Sequence, residues 1–292
     1  MKVTTPYLLL EILRGQWAIY QQIAFSYGPI IAGLINGKPE DFTPRANWEF
    51  KFSESGKIFT GSDYNSAPAG SVAILPIKGT MLKYGTWCSY GTQEVAAFMN
   101  AAMDSKKISA IVLDIDSGGG SINSIPPILN VLEKKTKPVV ALADMAASAA
   151  YFIAAACDHV MADNILSAGF GSIGVLTSFV DFQPYWELQG IKFHTIYAPE
   201  SKEKNQTLEK ALRGDYELMQ NEVLSPLARQ FQENIKNFRK EKLKTETPGI
   251  LTGKMFFANE ALKNGLIDSI GNMEKAVQKA IDLVEVRKFM KT

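Results

Sequence analysis

The chain has little with which to build metal or redox chemistry: two cysteines, Cys88 and Cys157, and two histidines, His159 and His194, among 292 residues. Two thiols are too few for a disulfide scaffold or a four-ligand zinc site, so no metal or cofactor is expected and the low count suits a reducing compartment. An excess of charge is missing too. Lys plus Arg total 31 against 30 Asp plus Glu, which gives no electrostatic case for nucleic acid or an anionic membrane as the main partner and favours a peptide-like or protein one. The opening MKVTTPYLLL lacks the charged start, long apolar middle and small-residue cleavage site of a signal peptide. One stretch, Gly15 to Gly37, is free of charge over a length that could cross a bilayer. Gln16, Gln21, Gln22, Ser26 and Asn36 are costly in hydrocarbon and Gly28-Pro29 interrupts a helix, so the stretch reads as a helix pair packing on a neighbour.

What is plentiful is apolar residues, 46% of the chain, enough for a sizeable core. The turn-forming GSDYNSAPAGS marks a linker and places a boundary near residue 70. This divides the chain into an N-terminal extension, 1–70, read as mainly helical, and a unit spanning 71–292. From Ser71 on, the apolar runs SVAILPIKG, AIVLDIDSGGG, VVALAD, HVMAD and KFHTIYA read as short strands, and VAAFMNAAM between the first two has helical spacing. Strands alternating with helices predict an α/β layer structure with largely parallel strands. The stripe Leu208, Leu212, Met219, Val223, Leu227, Phe231, Ile235 and Phe238 predicts one long helix or two, divided at Pro226, with Lys236, Arg239 and Lys240 on the solvated side. FFANEALKNGLIDSIG and MEKAVQKAIDLV predict two further helices around a short strand.

Two places carry candidate chemistry. In Asp116-Ser117-Gly118-Gly119-Gly120-Ser121 three glycines follow an apolar strand, so the backbone can turn sharply and leave amides uncovered for an oxyanion. The Gly-Lys-Ser/Thr ending of a phosphate-gripping loop and the glycine spacing of a dinucleotide fingerprint are both missing. In DMAASAAYFIAAACD, Ser148 is a lone hydroxyl between a strand and an alanine-rich helix. It reads either as a helix N-cap or as a nucleophile beside the Ala149 amide. The two histidines offer poor support for a serine's base, since either reads more readily as a packed side chain. A lysine serves instead where burial favours its neutral form, and Lys202 and Lys204 in APESKEKNQT are the candidates.

The succession SVAILPIKGTM, AIVLDIDSGGGSI, KPVVALADMAASAAYFIAAACD, GSIGV and a lysine after KFHTIYA resembles the signal peptide peptidase A family of serine peptidases, and LTGKMFFANEALKNGLID is similar to its closing Ala-x-x-x-Gly-Leu-x-Asp element. The resemblance runs from about Ser71 to Val284. It implies a ClpP/crotonase-like superhelix of β-β-α units with long C-terminal helices. Ser148 matches the nucleophile, Lys202 the general base with Lys204 as the fallback, and Ser172 a serine that holds the lysine amine. The amides of Ala149 and of Gly119 or Gly120 match the oxyanion donors. The chain departs from the family pattern in having Gly118 for a proline, Ala149 and Ala150 for two glycines, and Glu200 and Glu203 around Lys202.

A region before a single catalytic unit is similar to the capsid assembly proteases of tailed phages and prophages. That implies a polypeptide substrate such as a scaffold or capsid protein, a homo-oligomer, and residence in the host cytoplasm or prohead. The alternatives are a membrane-associated signal peptide peptidase acting on signal peptides, a catalytically silent assembly protein, and an acyl-CoA enzyme of crotonase type using Asp116 and Asp144.

Overall fold

A computed structural model describes residues 16–19, 46–54, 57–86, 89–179, 181 and 183–290. Cys88 and most of the uncharged stretch from Gly15 to Gly37 lie outside the described residues. The part of the extension that is described is mostly extended chain, with a single helical turn, rather than mainly helix. Gln16–Ile19 forms β1, and Phe50–Glu54 (β2) and Lys57–Gly61 (β3) form an antiparallel hairpin.

The central layer is a nine-stranded sheet, and the apolar runs supply its middle. Ser71–Lys78 (β4), Ile108–Ser117 (β5) and Val139–Ala147 (β7) lie parallel in neighbouring positions. Both faces of these strands are covered, which is why they read as continuous apolar runs without alternation. Leu113, Ile111 and Ile115 join the larger core, whereas Ala110, Val112, Val140 and Leu142 pack with Ala276, Val277 and Ala280 on the other face. The first group is covered by helices that include α1 (Thr92–Asp104), α2 (Ile125–Glu133) and α3 (Ala149–Ala155), and the second by α8 (Met273–Phe289). The β2–β3 hairpin adds to the sheet through β4, so the boundary expected near residue 70 is bridged by strand pairing. The supposed linker is packed as well: Asp63 caps a single turn at Tyr64–Ser66, and Tyr64 is buried.

The free edge of β7 is shared. Its first half, Val140 to Ala143, pairs with β8 (His159–Ala162), and its second half, Met145 to Ala147, with β9 (Gly169–Gly171). Beyond β9 lies β11 (Met255–Phe257), and β8 pairs with β12 (Ser269–Ile270). Three short strands make a second, separate sheet: β1 between β6 (Gly119–Ser121) and β10 (Leu176–Thr177). No helix among the described residues is long and apolar enough to cross a membrane.

Two expectations are corrected here. KFHTIYA is not a strand: residues 191–198 lack regular structure and no strand among the described residues pairs with them, leaving Phe193 64% and Ile196 91% exposed. The long helical stretch is divided at Gly214 and not at Pro226. After α4 (Gln183–Leu188), α5 (Gln206–Leu212) ends ahead of Gly214, a π-helical run follows at Met219–Leu224, and α6 (Ser225–Arg239) starts with Pro226 in its first turn, where a missing amide costs nothing.

Arg239 is likewise not on a solvated face. Only 3% exposed, it donates from Nε to the Gly265 carbonyl and from both terminal nitrogens to Asp268, each at 2.9 Å. Lys242 and the Val160 amide complete the carboxylate's shell. This explains the closing motif. After α7 (Ala258–Lys263), Gly265 turns the chain at φ +77 where a methyl would strike the Lys242 carbonyl, Leu266 is buried, and Asp268 ties α6 to β8. Burial alone would raise the Asp268 carboxyl, but Arg239, Lys242 and the Val160 amide hold it well below the usual carboxylate range.

Arg239→Ala leaves that carboxylate only Lys242 and the Val160 amide and is expected to cost about 3 kcal/mol, roughly 10 °C in Tm. Because the folded value is depressed, the stabilisation is complete above the unfolded carboxylate value near ~4 and fades as the pH falls below it. Thermal unfolding as a function of pH should show a steep acid limb in the parent chain and a shallower one in the variant. An unchanged Tm would contradict the assignment.

Candidate active site

Strand β7 runs directly into Ser148, and α3 begins at the next residue. Ser148 has φ 54 and ψ −117, a conformation that costs a non-glycine residue about 1–3 kcal/mol and persists only where the surroundings impose it. They do so from both sides: its amide donates to the Gly171 carbonyl of β9 at 2.8 Å, and its carbonyl accepts from Phe152 in the first turn of α3. The helix behind it is buried at all seven positions, which explains the alanines, since larger side chains would not fit on every face. Its larger members are anchored: Phe152 packs on Phe231 and Phe238 of α6, and the Tyr151 hydroxyl donates to the Leu266 carbonyl at 2.8 Å.

The N-cap reading of Ser148 fails on geometry. Its side chain caps no amide of α3; Ser148 is 1% exposed, and among the described residues its hydroxyl donates to the Gly174 carbonyl, at 3.4 Å. This backbone is therefore not shaped to satisfy the helix end with the hydroxyl.

The glycine turn folds against the same point. Ser117 braces it, donating to the Gly79 carbonyl and accepting from the Gly119 amide at 3.1 Å. Gly119 has φ +91, and a methyl there would lie 2.9 Å from the Ala149 nitrogen, 2.9 Å from the Ala147 oxygen and 2.3 Å from the Ala18 oxygen. Only glycine permits this approach, and it brings the turn against the peptide groups on either side of Ser148. Gly120 is as constrained, since a methyl would overlap the Met81 carbonyl. The Ala149 amide opens α3 and has no acceptor within the helix.

Ser172 follows the glycine whose carbonyl receives the Ser148 amide. It too has positive φ, at 53, and its amide donates to the Lys254 carbonyl at 3.0 Å. Ser148, Ala149, Gly119, Gly120 and Ser172 thus come together although they span 54 residues of sequence.

The lysines do not join them. Lys202 and Lys204 are exposed in a turn after Pro199–Ser201, and no hydrogen bond or ion pair among the described residues links either amine to Ser148. His159 is packed, as anticipated: its ring contacts the Ser269 hydroxyl at 2.7 Å, and burial pushes its pKa down to about 4. His194 is instead exposed in the irregular segment. Asp144 accepts from Asn164 and Ser167, and Asp116 is exposed, so neither is presented as the acid or base of an acyl-CoA site. Burial raises the Cys157 thiol to about 12, which keeps it protonated. Sequence reasoning missed the role of β1, whose Ala18 carbonyl reaches the glycine turn; a four-residue strand with distant partners leaves no periodic signal.

Comparison with known proteins bears on this arrangement. The model of Peptidase family S49 matches residues 131–287, which include Ser148, Ser172 and Lys202, and the Clp protease model matches residues 84–164. Protease 4 of Haemophilus influenzae is 29% identical over 235 residues, 74% of this chain and 35% of its own. The chain therefore spans about a third of that relative's length. The head-tail preconnector protein GP5 of Enterobacteria phage P21 is 25% identical over 214 residues, 70% of this chain and 42% of its own. Among solved structures, the 1510-N membrane-bound stomatin-specific protease aligns with a TM-score of 0.49 at 17% identity, covering 73% of this chain and 85% of that one. The fold is the ClpP/crotonase-like one expected from the sequence, and with more than half its length matched by the family model, the chain belongs to peptidase family S49.

Proposed function

We propose that the chain is a serine endopeptidase with Ser148 as nucleophile, acting on extended polypeptide in phage or prophage capsid assembly. The observation that carries the reading is the strained, non-capping Ser148 hydroxyl beside the Gly119 turn and the first amide of α3. In the reaction the Lys202 amine takes the Ser148 proton, Oγ adds to a peptide carbonyl, and the amides of Ala149 and of Gly119 or Gly120 hold the oxyanion. The proton passes to the leaving amine, and water then releases the acyl group. Ser172 positions the lysine.

The exposed place of Lys202 gives assembly a catalytic role in this reading. The segment leading to it carries Leu188, Phe193 and Ile196, at 85%, 64% and 91% exposure, more uncovered apolar surface than such a short stretch leaves in water without a partner. Packing between copies in a homo-oligomer covers that surface and lowers Lys202 onto Ser148. The likeness to a phage head-tail preconnector protein supports capsid or scaffold protein as substrate.

The test is digestion, by assembled protein, of denatured casein and of the scaffold and shell proteins encoded beside it, with fragments read by mass spectrometry. Cleavage after small or apolar residues is expected, with the scaffold or shell protein cut at few sites. Casein left whole would refute the peptidase, and casein cut while every neighbouring scaffold and shell protein stays whole would refute the capsid role.

A further inference from the structure

The groove where an extended substrate would pair is already filled by the chain itself. β1 lies antiparallel to β6 on one edge, with Trp17, Ala18 and Ile19 opposite Ser121, Gly120 and Gly119, and antiparallel to β10 on the other, with Gln16 and Trp17 opposite Thr177 and Leu176. β6 is the glycine turn beside the nucleophile, and β10 follows the Ser172 loop. A peptide held by backbone pairing on both edges is the usual way an extended polypeptide is gripped without regard to most of its side chains. The strand takes no part in the nine-stranded sheet, so it is not there to complete that layer.

The register identifies one bond. The Ala18 carbonyl oxygen and the Ala149 nitrogen lie 2.3 Å and 2.9 Å from the same point, the place a Gly119 Cβ would take, which brings that carbonyl into the neighbourhood of the first amide of α3. Ala18 is completely buried and Ile19 nearly so. The residue presenting its carbonyl is thus a small one in a closed pocket. We propose that Gln16–Ile19 is the enzyme's own first substrate, cleaved by Ser148 between Ala18 and Ile19, and that this clears the groove for other polypeptides.

The inference rests on the serine peptidase reading above. Ser148 Oγ bonds to the Ala18 carbonyl carbon as the Ala18–Ile19 C–N bond breaks, and the Oγ proton passes through the Lys202 amine to the Ile19 nitrogen. Water then adds to the ester. Its proton returns to Oγ, and the released segment ends in the Ala18 carboxylate.

The experiment follows the full chain after purification by intact-mass measurement and N-terminal sequencing, beside labelling of Ser148 with a fluorophosphonate and digestion of casein by the same sample. A form beginning at Ile19 should accumulate in the parent chain and not in Ser148→Ala. Ala18→Arg, which forces a long charged side chain into the closed pocket, should slow its appearance at least about tenfold while Ser148 still labels. If Ser148 labels and casein is cut while Ala18–Ile19 stays whole, self-cleavage is wrong and the peptidase reading stands. Cleavage at that bond in Ser148→Ala also overturns the inference. Neither labelling nor casein cleavage would remove both readings together.

Discussion

Ser148→Ala is expected to abolish fluorophosphonate labelling and to lower kcat for peptide hydrolysis by about 10⁴-fold or more, the scale seen when a serine nucleophile is removed. It should do so without unfolding the chain. The hydroxyl's hydrogen bond to the Gly174 carbonyl, at 3.4 Å, is too long to hold much energy, and alanine keeps the Cβ that the φ of 54 already accommodates. A capping serine would behave in the opposite way, losing about 1 kcal/mol of stability on truncation and leaving activity alone. Peptide hydrolysis and Tm measured on the same preparation therefore separate the two roles. A destabilised but active variant would return Ser148 to structure.

Lys202→Ala carries the second large effect, about a 10⁴-fold loss in kcat, whereas Lys204→Ala should stay within about twofold of the parent. Lys202→Arg should be as inactive as the alanine variant, because a guanidinium remains charged and cannot accept a proton. Since Lys202 is exposed in the single chain, activity should also climb with protein concentration as copies assemble. Loss of activity on Lys204→Ala with Lys202→Ala unaffected would transfer the role to the neighbour, and full activity in both would remove lysine from the mechanism.

The layered core is legible in the sequence because its central strands are covered on both faces, so SVAILPIK and VVALADMAA appear as unbroken apolar runs that end where the chain must turn. Ser148 and the glycine turn are legible as an oddity: a hydroxyl among alanines and three successive glycines each need a reason. Their meeting is not, since it depends on the Gly171 carbonyl holding a backbone that no local preference selects. KFHTIYA misleads for the converse reason: its composition suits a strand, but pairing requires a neighbour and the described residues supply none. Arg239 misleads because a charge in the last turn of a helix normally faces water, and only the fold places Asp268 opposite it. Gln16–Ile19, the described part of the uncharged stretch, is not legible as a strand because β1 is shorter than any window in which periodicity can be read.

The positive φ at Ser148 also limits which elements of chemistry this position can host. A side chain branched at Cβ is a genuine outlier there, so threonine is a poor replacement despite carrying the same hydroxyl. Cysteine, unbranched and nearly isosteric, meets no such obstacle. For the nucleophile proposed above, the backbone thus admits a switch from an oxygen ester to a thioester intermediate while closing the route to a secondary alcohol.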